Sequence, residues 1–175
     1  MLVRPAGAAD AAACVEIYRP YVLDTVITFE DTVPTVQAMG ERIAAVRVSH
    51  EWLVLEADDG VVGYAYAHQF NPRAAYRWSV ETSVYLRPER SRSGGGRMLY
   101  TELLSRLARR GYRRAFAGIT QPNDASNGFH GAFGFEPVGH YRRVGWKLGA
   151  WHDVQWWQRD LLSPGDEVDP PPEIG

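Results

Sequence analysis

Apolar and polar positions alternate along the chain with two different periods, one typical of strands and the other typical of helices. Residues 78–86, WSVETSVYL, alternate between two faces, which predicts a strand with Glu81 on its more polar face. The apolar runs at 51–57 and 61–70 flank the turn pair Asp59-Gly60, and this arrangement predicts a hairpin. Adjacent strands are therefore expected in the middle of the chain.

Helical spacing and boundary residues predict the helices. Apolar residues recur at helical spacing after Pro34-Thr35, so a helix is expected there. An earlier helix over about 8–19 ends before Pro20, and a later helix over about 96–110 follows a glycine-rich segment. The remaining predicted elements are a strand at Leu2–Arg4, a strand at 115–120, a helix at 124–133, and strands near 135–146 and 151–160.

The resulting order, β-α-α-β-β-β-α-β-α-β-β, predicts an α/β (α+β) fold in which helices flank a mixed sheet. A length of 175 residues with 45% hydrophobic residues suits one domain, which we assign to residues 1–161. Residues 162–175, LSPGDEVDPPPEIG, shift abruptly to proline and acid, which predicts a surface tail.

Charge and composition disfavour several classes of protein. The 19 basic and 21 acidic side chains give a net charge of -2, so no global field attracts nucleic acid or an acidic membrane. The chain has no apolar run near the ~18 residues of a membrane span and no secretory signal, so a cytoplasmic protein is expected. Cys14 is the only cysteine and permits no internal disulfide, and the histidine spacing predicts no metal site.

A glycine-rich segment, SGGG at 93–96, joins the strand at 78–86 to the next helix. Glycines let the backbone approach a ligand closely, and free N–H groups at a helix start attract anions. Arg90, Arg92 and Arg97 lie around this helix start, where the positive end of the helix dipole disfavours cations. A bound polyanion would offset this repulsion. The alternative is a flexible, arginine-rich surface loop.

Neither standard phosphate-binding motif is present in this segment. It lacks the Gly-Lys-Ser/Thr of a Walker loop, and it lacks the GxGxxG register with a following acidic residue that marks a dinucleotide fold. The pattern that fits is a pyrophosphate bound by backbone N–H groups without a metal, as in coenzyme A.

Several segments occur in an order that resembles one family. They are Trp52–Val54, Gly63–Ala67, Arg73–Tyr76, Glu81–Tyr85, Pro122–Ser126, His130 with Gly134-Phe135, and Trp151–Val154. Gly94 and Gly96 match the acyl-CoA loop pattern Gln/Arg-x-x-Gly-x-Gly/Ala of the GNAT acetyltransferase superfamily, whereas Ser91 stands at its first position. The chain resembles the phosphinothricin and methionine sulfoximine N-acetyltransferases from near residue 2 to about 161. This implies a GNAT fold, a mostly antiparallel mixed sheet with about four helices.

The resemblance places the catalytic glutamate of that family at Glu81 and its helix histidine at His130. Acetyl transfer to an amine needs a base, because an ammonium has no lone pair, and a partly buried carboxylate can accept the proton. An imidazolium could protonate the departing thiolate, or His130 could instead orient the amine or act as a second base. Without the resemblance, a strand glutamate is more often a surface residue and a lone helix histidine is more often packed.

The resemblance also implies two sets of binding residues. The set for acetyl-CoA, the expected co-substrate, is Val84, Tyr85, Leu86, Arg92, Ser93, Gly94, Gly95, Gly96, Arg97 and Asn123. The set for the amino-acid substrate is Phe29, Arg73, Tyr76, Arg77 and Val154. In this interpretation the backbone at 84–86 binds pantetheine, loop 92–97 binds the pyrophosphate, and Arg73 binds a carboxylate. Asn123 is also a good helix N-cap.

The sequence therefore predicts transfer of acetyl from acetyl-CoA to the α-amino group of a small amino acid by direct attack. The resemblance implies methionine sulfoximine, methionine sulfone or phosphinothricin as the substrate type, and a homodimer. Two alternatives stay open. One is a GNAT enzyme acting on a polyamine or a protein N-terminus, and the other is a non-catalytic acyl-CoA- or RNA-binding module built on the arginine clusters at 87–97 and 106–114.

Overall fold

The computed structural model describes residues 1–91, 93–162, 165 and 174. Arg92 and most of the predicted tail at 162–175 therefore lie outside the described residues. Helices α1 to α4 span Ala11–Asp24, Val36–Ser49, Gly95–Arg110 and Asp124–Ala132, and strands β1 to β7 span Leu2–Pro5, Trp52–Ala57, Gly60–Gln69, Ser79–Leu86, Arg114–Gln121, Glu136–Lys147 and Ala150–Asp160. The predicted order of elements is confirmed. None of the described helices is both long and apolar enough to span a bilayer.

The strands form a 7-stranded sheet in the order β1-β2-β3-β4-β5-β7-β6. Strands β4 and β5 are parallel, and each other neighbouring pair is antiparallel. The parallel pair has a physical cause, because the chain leaves β4, crosses back through α3 and returns in the same direction. The prediction of a mixed, mostly antiparallel sheet flanked by helices is confirmed.

Helices cover both faces of the sheet, and each face buries its own apolar cluster. On one face, Leu99 of α3 packs with Leu53 of β2. On the other, Ile17 of α1 packs with Val54 of β2 and Tyr64 of β3. Neighbouring residues such as Leu53 and Val54 fall in different clusters, because successive side chains of a strand point to opposite faces. We call these the α3/α4 face and the α1/α2 face.

Helix α1 continues past the end that the sequence predicts. Pro20 lies inside the helix, which ends at Asp24, so the prediction of its end was wrong. A proline in a helix interior removes a backbone hydrogen bond and costs about 3 kcal/mol. Tertiary contacts hold the turn that follows, since Val22 is buried and the Tyr21 hydroxyl donates to the Leu86 carbonyl at 2.7 Å. Packing therefore overrides the local stop signal.

Candidate active site

Strands β4 and β5 are neighbours but pair over only part of their length. Parallel pairs join Ser79–Glu81 to Arg114–Phe116, and the described residues form no pair beyond them. Strand β4 continues along β3 and β5 continues along β7, so each remains paired on its outer edge. The two strands thus leave between them an opening, the β4–β5 gap, bounded by residues 83–86 and 118–121.

Backbone groups of β4 point into the β4–β5 gap. The N–H of Arg87 donates to the Val62 carbonyl of β3 at 2.9 Å. In an antiparallel ladder, alternate residues direct their backbone groups to opposite edges, so Tyr85 also pairs with β3 whereas Val84 and Leu86 face the gap. Of the residues predicted to bind pantetheine, Val84 and Leu86 therefore carry N–H groups that a ligand in the gap can reach.

The start of helix α3 lies directly after β4 and presents free N–H groups. Gly94 precedes the helix with φ of 84°, a left-handed conformation that glycine adopts without strain. No acidic residue lies in the first turn and the N-cap residue Gly94 has no side chain, so the N–H groups of Gly96 and Arg97 and the positive end of the helix dipole stay available to an anion. A Cβ on Gly95 would lie 2.6 Å from Cδ2 of Leu55, so glycine is what lets this helix start lie against the sheet.

The arginines around this helix start have different partners. Arg90 pairs with Asp59 of the β2–β3 turn at 2.7 Å, which directs its guanidinium to that turn. The guanidinium of Arg97 lies 5.6 Å from the ring centroid of Phe133 on α4, and it stays beside the helix start. Ser93 Oγ accepts from the Gly95 N–H at 3.4 Å. The arrangement therefore offers backbone N–H groups and Arg97 for an anion, while Arg92 lies outside the described residues.

Glu81 lies at the last paired position of β4, where the β4–β5 gap begins. Its side chain is 28% exposed, and burial raises the pKa of its carboxyl above the ordinary value. His68, its partner on β3, places Nε2 3.9 Å from Oε2 of Glu81, and the charge of a protonated His68 opposes that rise. Sequence reasoning missed His68, because only the register of β3 against β4 brings it to Glu81.

An aromatic wall lies beside Glu81 on the α1/α2 face. Phe116 pairs with Glu81 in register, and the ring of Phe70 stacks on it with centroids 4.1 Å apart. Tyr76 and Trp156 each meet the Phe70 ring edge-on at 5.9 Å. The predicted substrate residue Tyr76 is therefore joined to Glu81 through two phenylalanine rings, and together these rings form an apolar surface next to the carboxylate.

Phe29 and Val154 lie on the same face, further along the sheet. Phe29 packs against Gly145, where an added Cβ would overlap its ring. Lys147 holds this loop in place, since its Nζ donates to the Thr28 carbonyl at 2.8 Å. Val154 pairs with Thr120 of β5, two positions from Trp156. Both predicted residues thus border the surface that extends from Glu81.

The two predicted substrate arginines have different surroundings. Arg73 is exposed, and its guanidinium makes no hydrogen bond or ion pair within the described part of the chain. The guanidinium of Arg77 lies 3.9 Å from the ring centroid of Trp78 and donates to the Ala74 carbonyl at 3.1 Å. Arg73 is therefore available to bind a carboxylate, whereas Arg77 already has intramolecular partners.

His130 lies on α4, on the opposite face of β4 from Glu81. It is 5% exposed, and burial lowers the pKa of its imidazole. Nε2 lies 3.0 Å from the Tyr100 hydroxyl, which lies 2.6 Å from Oγ1 of Thr82, the residue after Glu81. Asn123 caps α4, since its Oδ1 accepts from the Ser126 N–H at 3.0 Å. Glu81 and His130 thus approach the start of the β4–β5 gap from opposite faces.

Comparison with known proteins places this geometry in context. Residues 3–156 match the acetyltransferase (GNAT) domain family. A phosphinothricin N-acetyltransferase from Streptomyces viridochromogenes is 38% identical over 93% of this chain and 88% of its own. An L-methionine sulfoximine/L-methionine sulfone acetyltransferase from Salmonella typhimurium is 35% identical over 92% of this chain and 95% of its own. The crystal structure of a GNAT superfamily phosphinothricin acetyltransferase from Sinorhizobium meliloti, in complex with AcCoA, has a TM-score of 0.88 and 38% identity, covering 97% of this chain and 95% of that one.

The raised pKa of Glu81 predicts that this carboxylate destabilises the fold at neutral pH. The neutral carboxyl is the form that the fold favours, and this favourable contribution is fully present below the pKa that Glu81 has in the unfolded chain. It is lost as the pH rises through the higher pKa of the folded state, because the buried carboxyl then ionises. Glu81→Gln should therefore raise the free energy of unfolding at about pH 8 and have little effect at about pH 4. Urea unfolding at both values measures the difference.

The matched control is Glu16→Gln, whose side chain on α1 is 67% exposed. It should show no comparable pH-dependent gain. A Glu81→Gln variant whose gain is the same at both pH values would contradict the inference that burial disfavours the ionised carboxylate.

Proposed function

The chain belongs to the acetyltransferase (GNAT) family, and on this premise we propose that it acetylates the α-amino group of a small amino acid. Acetyl-CoA is the co-substrate, and the acceptor is of the phosphinothricin, methionine sulfoximine or methionine sulfone type. The observation that carries the proposal is the position of Glu81. A carboxylate with a raised pKa lies where β4 and β5 separate, beside both an unpaired backbone edge and a free helix start.

The chain's own residues fit a bound acetyl-CoA. Val84 and Leu86 offer backbone donors in the β4–β5 gap to the amides of the pantetheine arm. The N–H groups of Gly96 and Arg97, together with the Arg97 guanidinium, are the proposed donors to the pyrophosphate, and Asn123 lies at the far side of the gap at the start of α4. Acetyl-CoA supplies the acetyl group as a thioester. An extended ligand in the gap would satisfy backbone groups that the sheet leaves unpaired.

Glu81 is the residue proposed to accept the proton of the substrate ammonium. The pKa of an ordinary carboxyl lies about three units or more below that of an α-ammonium, so proton transfer from the ammonium to the carboxylate is unfavourable. Burial raises the pKa of Glu81 and narrows that difference. Proton removal frees the nitrogen lone pair for direct attack on the thioester carbonyl. His130 is the group proposed to supply a proton to the sulfur that departs.

The α1/α2 face supplies the proposed substrate site. Tyr76 and the rings behind it form an apolar wall beside Glu81, while Phe29 and Val154 border the far end. Arg73 has no competing partner among the described residues, so it is available for a bidentate contact with the substrate carboxylate. A polyamine has no carboxylate for this arginine, so the arrangement favours an amino acid.

The non-catalytic RNA-binding alternative finds little support in the charges of the surface. Four arginines of the two basic clusters are engaged by carboxylates: Arg90 by Asp59, Arg106 by Glu102, Arg110 by Glu51, and Arg114 by Asp160. Paired arginines of this kind leave little positive potential for phosphates. The structure therefore favours the enzyme over the binding module.

The homodimer implied by the resemblance also belongs to this proposal. Strand β6 lies at the edge of the sheet and exposes a row of large apolar side chains. They are Val138, Tyr141, Val144 and Trp146, with Leu148 and Trp151 beyond the turn. Exposed apolar surface of this extent on an edge strand is typical of a protein–protein interface. A second copy of the chain is the proposed partner.

Thiol release from acetyl-CoA tests the catalytic proposal. The panel contains phosphinothricin, methionine sulfoximine, methionine sulfone, a polyamine and a peptide with a free N-terminus. Glu81→Gln should lower kcat by about 10²–10⁴-fold, because a general base contributes that much. Its Kd for acetyl-CoA, measured by calorimetry, should stay within about threefold of the wild type, because the base binds the other substrate. Glu16→Gln is the control and should retain full activity.

Full turnover of an amino acid by Glu81→Gln would refute the base assignment. Release of thiol with the polyamine or the peptide alone would instead refute the assigned substrate class and leave the base in place.

Light scattering on purified protein tests the proposed dimer. The wild type should have about twice the mass of one chain, and Trp146→Glu should reduce it to one chain by placing a charge in the apolar interface. Val48→Glu is the matched control, since Val48 is 83% exposed on α2, away from the edge strand. A wild type with the mass of a single chain would overturn the dimer.

A further inference from the structure

A continuous line of hydrogen bonds connects three buried side chains from three elements of the α3/α4 face. Nε2 of His130 lies 3.0 Å from the hydroxyl of Tyr100, and that hydroxyl lies 2.6 Å from Oγ1 of Thr82. These side chains come from α4, α3 and β4, and their residues are 5%, 0% and 3% exposed. Burying a polar side chain costs free energy unless the group is hydrogen-bonded, and here each of the three has a partner. A buried polar network of this kind indicates a specific role.

A backbone carbonyl lies at each end of the line. At one end, Nδ1 of His130 lies 2.8 Å from the Ser126 carbonyl, and since a carbonyl only accepts, Nδ1 carries a hydrogen. At the other end, Oγ1 of Thr82 lies 3.0 Å from the Phe116 carbonyl, which accepts the hydroxyl hydrogen when Thr82 does not donate it to Tyr100. Phe116 is the last residue of β5 that pairs with β4, so the line ends where the β4–β5 gap begins.

The number of hydrogens in the line depends on the charge of His130. In neutral His130, Nε2 has no hydrogen and accepts from Tyr100, whose oxygen can then accept from Thr82. In protonated His130, Nε2 donates to Tyr100, Tyr100 donates to Thr82, and Thr82 donates to the Phe116 carbonyl. One added proton therefore reverses the hydrogen bonds of Tyr100, and each charge state of His130 has a complete set of partners for its ring nitrogens.

The surroundings favour the neutral state at rest. The rings of Phe129 and Phe135 lie within 5.4 Å and 5.3 Å of the His130 ring, and burial lowers the pKa of the imidazole. Three charged side chains surround this line without bonding to His130. The charge of Arg159 on β7 acts on the Tyr100 hydroxyl, and the Arg97 guanidinium lies over the ring of Phe133. Glu81 lies on the opposite face of β4. A proton received by His130 is therefore readily returned, as a shuttle requires.

We propose that the hydroxyls of Thr82 and Tyr100 connect His130 to the β4–β5 gap as a proton path. This inference rests on the proposed function. After the N–C bond has formed, the substrate nitrogen gives a proton to Oγ1 of Thr82, Thr82 gives its own to Tyr100, and Tyr100 gives its own to Nε2 of His130. The reverse sequence delivers one proton to the departing sulfur. Both hydroxyls and the imidazole return to their starting state, and no further reactant is consumed.

Three variants of the full-length chain test the path. Tyr100→Phe and Thr82→Val each remove one hydroxyl with little change in shape, and Thr82→Ser restores a hydroxyl. The first two should lower kcat about ten- to a hundredfold with KM nearly unchanged, and Thr82→Ser should stay within about threefold of the wild type. Tyr112→Phe is the matched control, because Tyr112 is a buried tyrosine of the same face whose hydroxyl donates to the Ser49 carbonyl.

The pH dependence of kcat separates a proton path from a merely structural role. Below the pKa values of both Glu81 and His130, log kcat of the wild type should fall with a slope of two. In Tyr100→Phe the slope should be one, because the charge of His130 no longer affects the path. Nitrogen NMR of His130 gives an independent readout, since Nε2 should move to the frequency of an unbonded nitrogen in Tyr100→Phe and should not move in Tyr112→Phe.

The outcomes are distinguishable. A Tyr100→Phe enzyme with the kcat and slope of the wild type would overturn the proton path even if the Nε2 resonance moves. An unmoved Nε2 resonance would overturn the hydrogen-bonded line itself. A wild type that releases no thiol with any acceptor would instead overturn the proposed function, and with it the catalytic part of this inference.

Discussion

Every backbone N–H and C=O in a sheet needs a partner, and the parting of β4 from β5 leaves some without one. The two strands pair only as far as Glu81 and Phe116, while their outer edges stay paired with β3 and β7. The rest of the site follows from this opening. It exposes the donors of Val84 and Leu86, it leads to the glycine-rich start of α3, and it is the place proposed for a ligand that carries its own amide groups.

Burial shifts the pKa values of two groups in opposite directions at the start of this opening. Glu81 becomes a stronger base and His130 a stronger acid when protonated, because removal from water disfavours the charge of each. The two groups lie on opposite faces of β4, so the sheet keeps them apart although both lie near the start of the opening. His68, 3.9 Å from Glu81, moderates the shift of the carboxylate. In the proposed function, the base and the proton donor arise from the same physical effect.

Much of the fold could be predicted because its signals are local. The alternation at 78–86, the Asp59-Gly60 turn and the glycine before α3 each specify an element through its own residues. The end of α1 could not be predicted, since Val22 and Tyr21 hold the helix through contacts distant in sequence. For the same reason, His68, Tyr100 and Thr82 have no sequence signal as a site. Glu81 and His130 were predicted from the resemblance, and the structure adds the strand register and helix packing that give them partners.

Amide hydrogen exchange of the full-length chain, followed by NMR with and without acetyl-CoA, tests the central claim most directly. The account predicts that acetyl-CoA slows exchange at Val84 and Leu86, whose N–H groups face the β4–β5 gap, and at Gly96 and Arg97 at the start of α3. Tyr85, already paired with β3, should change little. Equal slowing at residues 84, 85 and 86, or slowing confined to another part of the sheet, would contradict the claim that the gap between β4 and β5 holds the co-substrate.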